Sequence, residues 1–472
     1  MPRILLRAGK DPFEVLSPEV ARGAFPKGVW GKNVGNLVFG DSMHKLLSVP
    51  GTEVVPNAFL SERPGVTPWY VDQINEQFDH FVIPLANAFR TSFMGNLERL
   101  TEVIEGLKIP VTVVGVGVAG GPRSLKNPLP RLKDDERPMV ARFLTAVLDR
   151  SASIGVRGEH TQTFLASLGF GDEHVDVIGC PSLFQLGPGH SVHKRAEAIS
   201  PDSHFTMNIS PYVKRMAEAS VRHAEKYPHM IYVPQDTATL DLMMYGTPHP
   251  DAGDPQMPVH IDHPLYVEDR MRFFTDSSTW FGFLATQDFS FGTRIHGNIA
   301  ALVAGTPAHV IAHDSRTLEL AQYHEIPHTT VPDLAEGFDA AELYEATDLT
   351  AFNAGHAARF DKFAAFLRKN GIAHVFEEGK ANPEYETRLS ALPFPDPVHT
   401  LSTTDPVARA EAYERIATVE SFAHHHDWIK KFSPRVDFPV TPPRLPASTP
   451  ARRSVRRFAA RVLNKAARVI GG

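Results

Sequence analysis

Through the middle of the chain, short β-branched runs alternate with longer runs of helical period. Residues 111–116, Val-Thr-Val-Val-Gly-Val, read as a buried strand. From 137 to 150, Val140, Phe143, Leu144, Val147 and Leu148 fall at helical spacing. A strand is predicted at 153–156, a helix over 159–168 closed by Gly169, and a further strand at 175–178. The rhythm pauses at Gly187-Pro188-Gly189-His190. It resumes with a strand at 205–209, a helix over 211–226, a strand at 229–233 and another parallel unit from 288 to 314. Such alternation predicts parallel sheets joined by right-handed crossovers. The expected fold class is α/β: two doubly wound, Rossmann-like domains, 1–190 and 200–345, facing each other across a cleft. Open sheets of this kind bind ligands at the carboxyl ends of their strands.

After residue 345 the pattern becomes helical. A helix is predicted over 349–369, carrying Phe352, Phe360, Phe363, Phe366 and Leu367, and a second over 406–430. Residues 346–433 therefore read as a helical extension. Six prolines between 434 and 450 describe a stiff linker. From 451 to 472 the chain has seven basic residues (Arg452, Arg453, Arg456, Arg457, Arg461, Lys465, Arg468) and no acidic one. Val455, Phe458, Val462, Leu463, Val469 and Ile470 recur there at helical spacing. A basic amphipathic helix suits an anionic membrane surface; the alternative is docking onto this protein's own acidic body.

Composition narrows the classes. The chain has 472 residues, 48 of them basic and 54 acidic, for a net charge of −6, which is not the balance of a nucleic-acid-coating protein. One cysteine, Cys180, excludes an intrachain disulfide and a cysteine-built zinc site. No apolar run approaches the length of a membrane span, and the first residues carry too short an apolar stretch for a signal peptide. The expectation is a cytoplasmic multidomain protein, peripheral at the inner face of the plasma membrane if its tail binds lipid.

The most informative stretch is Ser290-Phe291-Gly292-Thr293-Arg294-Ile295-His296-Gly297-Asn298, followed by a small-residue helix that Gly305 stops. Arg294 and His296 sit where a strand end turns into a helix, a place where an anion meets free N–H groups and a helix dipole. Arginine offers a fixed fork for carboxylate or phosphate, and histidine moves protons near neutral pH. Taken alone, an Arg-x-His pair is equally a surface or core feature; its glycine-bracketed turn favours function. Asp314 and Ser315 begin the next helix, with Arg316 on the same rim, and capping explains Asp314 as well as ligand contact does. Asn208-Ile209-Ser210 and Pro234-Gln235-Asp236-Thr237 end two strands of the second half and line the cleft by position. Gly115, Gly117 and Gly120 match a dinucleotide fingerprint, but Pro122 and the basic stretch behind it give no immediate helix, so a close-approach loop fits better. His424-His425-His426 point in different directions on a helix and predict no metal site.

With these motifs the sequence resembles the polysaccharide pyruvyl transferase family. The resemblance rests on Gly292-Thr293-Arg294-Ile295-His296-Gly297, Gly305-Thr306-Pro307 and the run from Asp314 to Leu320. Gly35-Asn36-Leu37-Val38-Phe39-Gly40-Asp41 is similar to the family's N-terminal turn, with extra residues before Gly40. Gly115-Val116-Gly117-Val118 resembles its glycine-rich strand end. Ser153-Ile154-Gly155-Val156-Arg157 matches its strand ending in arginine, with Gly158 where an acid usually follows. Coverage is roughly residues 30–330.

The resemblance implies a GT-B-like architecture and transfer of a pyruvyl group from phosphoenolpyruvate to a sugar of a cell-surface polysaccharide or its lipid-linked precursor. Phosphoenolpyruvate is then the donor substrate, and no cofactor or metal is expected. Arg157, Arg294 and His296 match the family's functional positions. Two arginines form a minimal clamp for a molecule with a carboxylate and a phosphate, and His296 as an imidazolium is the candidate acid. Asn36, Asp41, Gly117, Asn208, Ser210, Gly297, Asp314 and Arg316 are candidate substrate-binding positions; Asp41, Glu159 and Asp314 are candidate bases. The rival is a GT-B-type glycosyltransferase using a nucleotide sugar, with Glu319 as a ribose ligand.

Overall fold

A computed structural model describes residues 1–24, 28–65, 68–120 and 132–417. Its strands are β1 (Arg3–Leu6), β2 (Glu53–Pro56), β3 (His80–Pro84), β4 (Val111–Val114), β5 (Ile154–Val156), β6 (Val175–Val177), β7 (Phe205–Asn208), β8 (Ile231–Tyr232), β9 (Phe289–Gly292), β10 (Ala308–Ala312) and β11 (His328–Thr330). The first domain orders its sheet β2-β1-β3-β4, and all its pairs are parallel. The β5-β6 pair continues it, because Val116 bridges Val156 in parallel just past β4. The second domain orders β11-β10-β9-β7-β8, also parallel. In strand sequence both read 2-1-3-4 onward, so each sheet reverses direction once: between β1 and β3, and between β7 and β9. A crevice opens at such a reversal, because the crossover helices leave it on opposite faces.

The first sheet is covered on both faces, which is why its strands are apolar except at Arg3, Glu53, His80 and Thr112. Leu5, Phe81, Ile83, Val111 and Val113 pack on one side with Leu97, Leu100, Ile104, Phe143 and Leu144. Leu6, Val54, Val82 and Val114 pack on the other with Met43, Leu46, Phe360, Phe363 and Phe366. The second group corrects the expected boundaries. Helix Thr350–Lys369 follows the second domain in sequence but supplies the first domain's core. Its C-cap, Asn370, fixes it by accepting from Ser151 Oγ at 2.8 Å and from the Ala152 N–H at 3.0 Å. The chain also crosses the other way. Val29, Trp30, Val34, Leu37, Val38 and Phe39 belong to the second domain's core, and Trp30 Nε1 donates to Thr237 Oγ1 at 3.0 Å.

The predicted strands and helices between 111 and 323 are present, with ends shifted by a few residues. The expected turn at 35–41 is instead the start of helix Gly35–Leu47. Among the described residues no helix is long and apolar enough to cross a membrane. The linker 434–450, the segment 451–472, the end of the extension and His424–His426 lie outside the described residues.

Candidate active site

Both sheet reversals open into one cavity of about 780 Å³ between the domains. From the first domain, Arg7 follows β1, Leu85 to Asn87 follow β3 and Arg157 follows β5; from the second, Ser210 follows β7, Gln235 follows β8, Thr293 and Arg294 follow β9, and His313 follows β10. Strand ends therefore set part of the polar lining, and loops and helix starts supply the rest. Six predicted positions line it: Asn36, Arg157, Ser210, Arg294, His296 and Arg316.

Arg157 is 2 % exposed, and its Nε and Nη2 donate to the Gly115 carbonyl at 3.3 and 3.2 Å. Among the described residues no carboxylate hydrogen-bonds it. Burial pushes it down to about 10, against the pull of Glu319 and Asp314. Arg294 is the N-cap of helix Ile295–Val303. Its Nε donates to the Ile209 carbonyl at 3.1 Å and its Nη2 to Asp236 Oδ2 at 3.2 Å. Arg316 donates from Nε and Nη2 to Asp314 Oδ2 at 2.9 and 2.7 Å.

His296 lies between these guanidiniums, 9 % exposed, with Nε2 3.9 Å from Cys180 Sγ. Burial first, then the charges of Arg157 and Arg316, lower it to about 3. The free protein therefore carries a neutral His296 at pH 7, and the expected imidazolium requires an anion to arrive beside it. A Cβ on Gly35 would lie 2.6 Å from that of His296, so this glycine lets the first domain's helix close over the histidine. His313 is lowered to about 4, chiefly by burial; its Nε2 lies 3.2 Å from Tyr212 Oη, and its Nδ1 is buried without a partner. Ser210 Oγ and Gln235 Nε2 are likewise buried without partners. Unsatisfied buried polar atoms are uncommon in folded proteins, and these three belong to residues that line the cavity.

Five predicted positions do not line the cavity, and four of them build its walls. Asn208 accepts the Arg294 N–H on Oδ1 at 2.8 Å and gives Nδ2 to Asn298 Oδ1 at 3.0 Å, leaving nothing for a ligand. A Cβ at Gly117 would fall 2.4 Å from Arg157 Cδ, and one at Gly297 2.5 Å from Gln235 Nε2, so both glycines clear space for the residues that do line it. Asp314 caps helix Ser315–Tyr323, holds Arg316 and is pulled well below the carboxylate range by Arg316 and His313, outweighing its burial. Asp41 lies outside the cavity: it accepts from Ser277 Oγ at 2.5 Å, and burial pushes it up to about 6. Glu159 is outside the cavity too. Instead, Glu62 is the one carboxylate in the lining among the described residues. Sequence reasoning missed Glu62, Arg7, Arg63, Arg90 and Arg99. Only Arg7 and Arg90 left a readable mark, each a cation just past a mainly apolar stretch, three residues long before Arg7.

The glycine-rich loop serves the domain interface. The Gly120 N–H donates to Ser315 Oγ at 2.7 Å. Nearby, Glu319 accepts the Thr161 N–H at 2.7 Å and its hydroxyl at 3.1 Å, and burial pushes this carboxyl up to about 7. Glu319, which the nucleotide-sugar reading uses as a ribose ligand, is thus engaged by the first domain. No group of three or more metal-ligating side chains occurs among the described residues.

Two Rossmann-like domains of matching strand order, closed on an arginine-lined interdomain cavity, define a GT-B-like architecture. A family profile described as polysaccharide pyruvyl transferase matches residues 33–315, more than half of the chain. The chain belongs to that family, a family of transferases acting on polysaccharides. Among curated sequences no relative matches. Structures similar to it include S. aureus MnaA with UDP (TM-score 0.40, 11 % identity, 79 % of this chain and 99 % of that one). Others are Methanocaldococcus jannaschii UDP-GlcNAc 2-epimerase with UDP-GlcNAc and UDP (0.41, 10 %, 78 % and 99 %) and Anabaena Alr3699/HepE with UDP and glucose (0.37, 10 %, 78 % and 95 %). At these scores nothing about this chain's ligand follows from them.

Proposed function

We propose that this chain transfers the pyruvyl group of phosphoenolpyruvate onto two hydroxyls of a sugar, forming a pyruvate ketal and releasing phosphate. The observation that carries the reading is the meeting of Arg157, Arg294 and Arg316 around His296 in one cavity. The donor's phosphate and carboxylate neutralise the field that depresses His296, so the histidine gains affinity for a proton as the donor binds. Protonated His296 delivers that proton to the enol methylene, which becomes the methyl group while C2 becomes electrophilic. A sugar hydroxyl bonds to C2 and loses its proton to His313, whose depressed basicity keeps it neutral and able to accept. The C2–O bond to phosphate breaks, phosphate leaves, and the second hydroxyl closes the ketal at C2. Of its two hydroxyl protons, the sugar thus supplies one for the methyl group and one for the departing phosphate. Clamping the donor in this way converts an encounter of three groups into a positioned reaction.

Isothermal titration of phosphoenolpyruvate into the wild type and Arg157→Ala tests the reading. Binding lost in the variant is expected; no binding to folded wild type, with or without a glycan acceptor, overturns it. The nucleotide-sugar alternative is disfavoured by the engagement of Glu319 with Thr161. The basic segment 451–472 supports docking at an anionic membrane beside a lipid-linked acceptor, in keeping with a cytoplasmic enzyme. Equal sedimentation with anionic liposomes after deletion of 451–472 would refute that docking.

A further inference from the structure

The first-domain wall holds more positive charge than a small donor uses. Arg7, Arg63, Arg90 and Arg99 all line the cavity there, against the single lining carboxylate of Glu62. Both oxygens of Glu62 are already occupied, Oε1 by Arg7 Nε and Oε2 by Asn96 Nδ2 at 3.3 Å. The remaining arginines are steered by neutral acceptors. Arg99 donates to the Glu62 carbonyl at 2.6 Å and to Asn96 Oδ1 at 2.7 Å, Arg63 to the Ala58 carbonyl at 2.6 Å, and Arg90 to Ser92 Oγ at 3.1 Å. Arg7 and Arg90 also lie over the rings of Phe59 and Phe93, at 4.8 and 5.2 Å. Burial lowers both Arg63 and Arg90 to about 10 against the pull of Glu62, and for Arg90 the charges of Arg316, Arg7 and Arg157 add to the lowering. Four guanidiniums share one lining carboxylate, which leaves this wall with an excess of positive charge that suits an anion from outside the chain. Asn87, at the end of β3, lines the cavity with them and brings an amide that can hydrogen-bond a hydroxyl. A sugar bearing a negative group has both features.

We propose that the acceptor is an acidic saccharide, whose phosphate, diphosphate or carboxylate sits among Arg7, Arg63, Arg90 and Arg99 while its hydroxyls face His296. The proposal deepens the pyruvyl-transfer reading and rests on it for the placement of the hydroxyls, but the anion site stands on the first-domain wall alone.

The test is calorimetric, on the full chain saturated with phosphoenolpyruvate. Three probes on one hexose are compared: methyl galactoside, galactose 1-phosphate and methyl galacturonoside. One anionic probe is expected to bind about tenfold or more tighter than the neutral one, as a charge-assisted bidentate contact implies. Which one wins assigns the group as phosphate or carboxylate. Arg63→Gln and Arg99→Gln should each remove most of that preference while the phosphoenolpyruvate Kd stays unchanged, with melting curves checking the fold. Equal affinity for all three probes overturns the proposal. So does a parallel loss of phosphoenolpyruvate affinity in both variants, which would give these arginines to the donor. If phosphoenolpyruvate itself does not bind, the donor reading fails separately, and the same three probes without it still decide the anion site.

Discussion

The two walls of the cavity treat the same side chain differently. On the second-domain wall each arginine is held by a carboxylate, Arg294 by Asp236 and Arg316 by Asp314. On the first-domain wall, among the described residues, Arg157 and Arg90 hydrogen-bond a carbonyl and a hydroxyl, and burial depresses both. A paired guanidinium is positioned but largely neutralised; one with only neutral partners keeps its full field at the expense of stability. The second wall therefore sets geometry, and the first sets the attraction for an anion.

Removing Arg157 should break this contrast most. Arg157→Ala is expected to lower turnover, followed as phosphate release, by about 10²–10³-fold, the scale of one preorganised electrostatic contact. Its melting temperature should hold or rise, because no carboxylate loses a partner. A marked fall in stability would show that the residue is structural. Asp314→Asn should act on the other wall. Asparagine still caps helix Ser315–Tyr323, but Arg316 loses its anchor, and turnover should fall by roughly tenfold, as modest mispositioning does. An effect as large as that of Arg157→Ala would erase the distinction between setting geometry and attracting charge.

The smallest effect sharpens the comparison through pH. Free His296 sits near 3, and the donor is expected to raise it by neutralising Arg157 and Arg316. A group whose pKa rises on binding takes up protons, so affinity strengthens as pH falls between 3 and the raised value. The slope is at most about tenfold per pH unit. Calorimetry in buffers of differing ionisation enthalpy should show proton uptake in the wild type and less in His296→Asn. Equal uptake in both would assign the proton elsewhere.

The second wall was largely legible in the sequence. Arg294, His296 and Arg316 lie close together between two glycines and a capped helix, and local pattern fixes where strands end. The first wall was not. Arg63, Arg90 and Arg99 come from loops and a helix far from any motif, and only the β2-β1-β3 order brings them to one mouth. Asn208 and Asp314 were correctly placed at strand ends, yet their side chains turn inward to hold Arg294 and Arg316. Position in an element predicts proximity to a cleft; it does not predict which neighbour takes the side chain's hydrogen bonds. The dependence of the first domain on helix Thr350–Lys369 was likewise hidden, because its aromatic stripe reads the same whichever sheet it covers.

That helix imposes an order on biosynthesis. Strands β1 to β6 leave the ribosome long before Phe360, Phe363 and Phe366, which complete their sheet. At ordinary elongation rates the gap is roughly 10–35 s. Throughout it, Leu6, Val54, Val82 and Val114 have Met43, Leu46, Leu47 and Phe184 of their cluster to pack on, without the three phenylalanines of that helix. The nascent first domain therefore stays incompletely packed until nearly the whole described chain has been made, and a premature stop before residue 350 would leave one face of its sheet only partly covered.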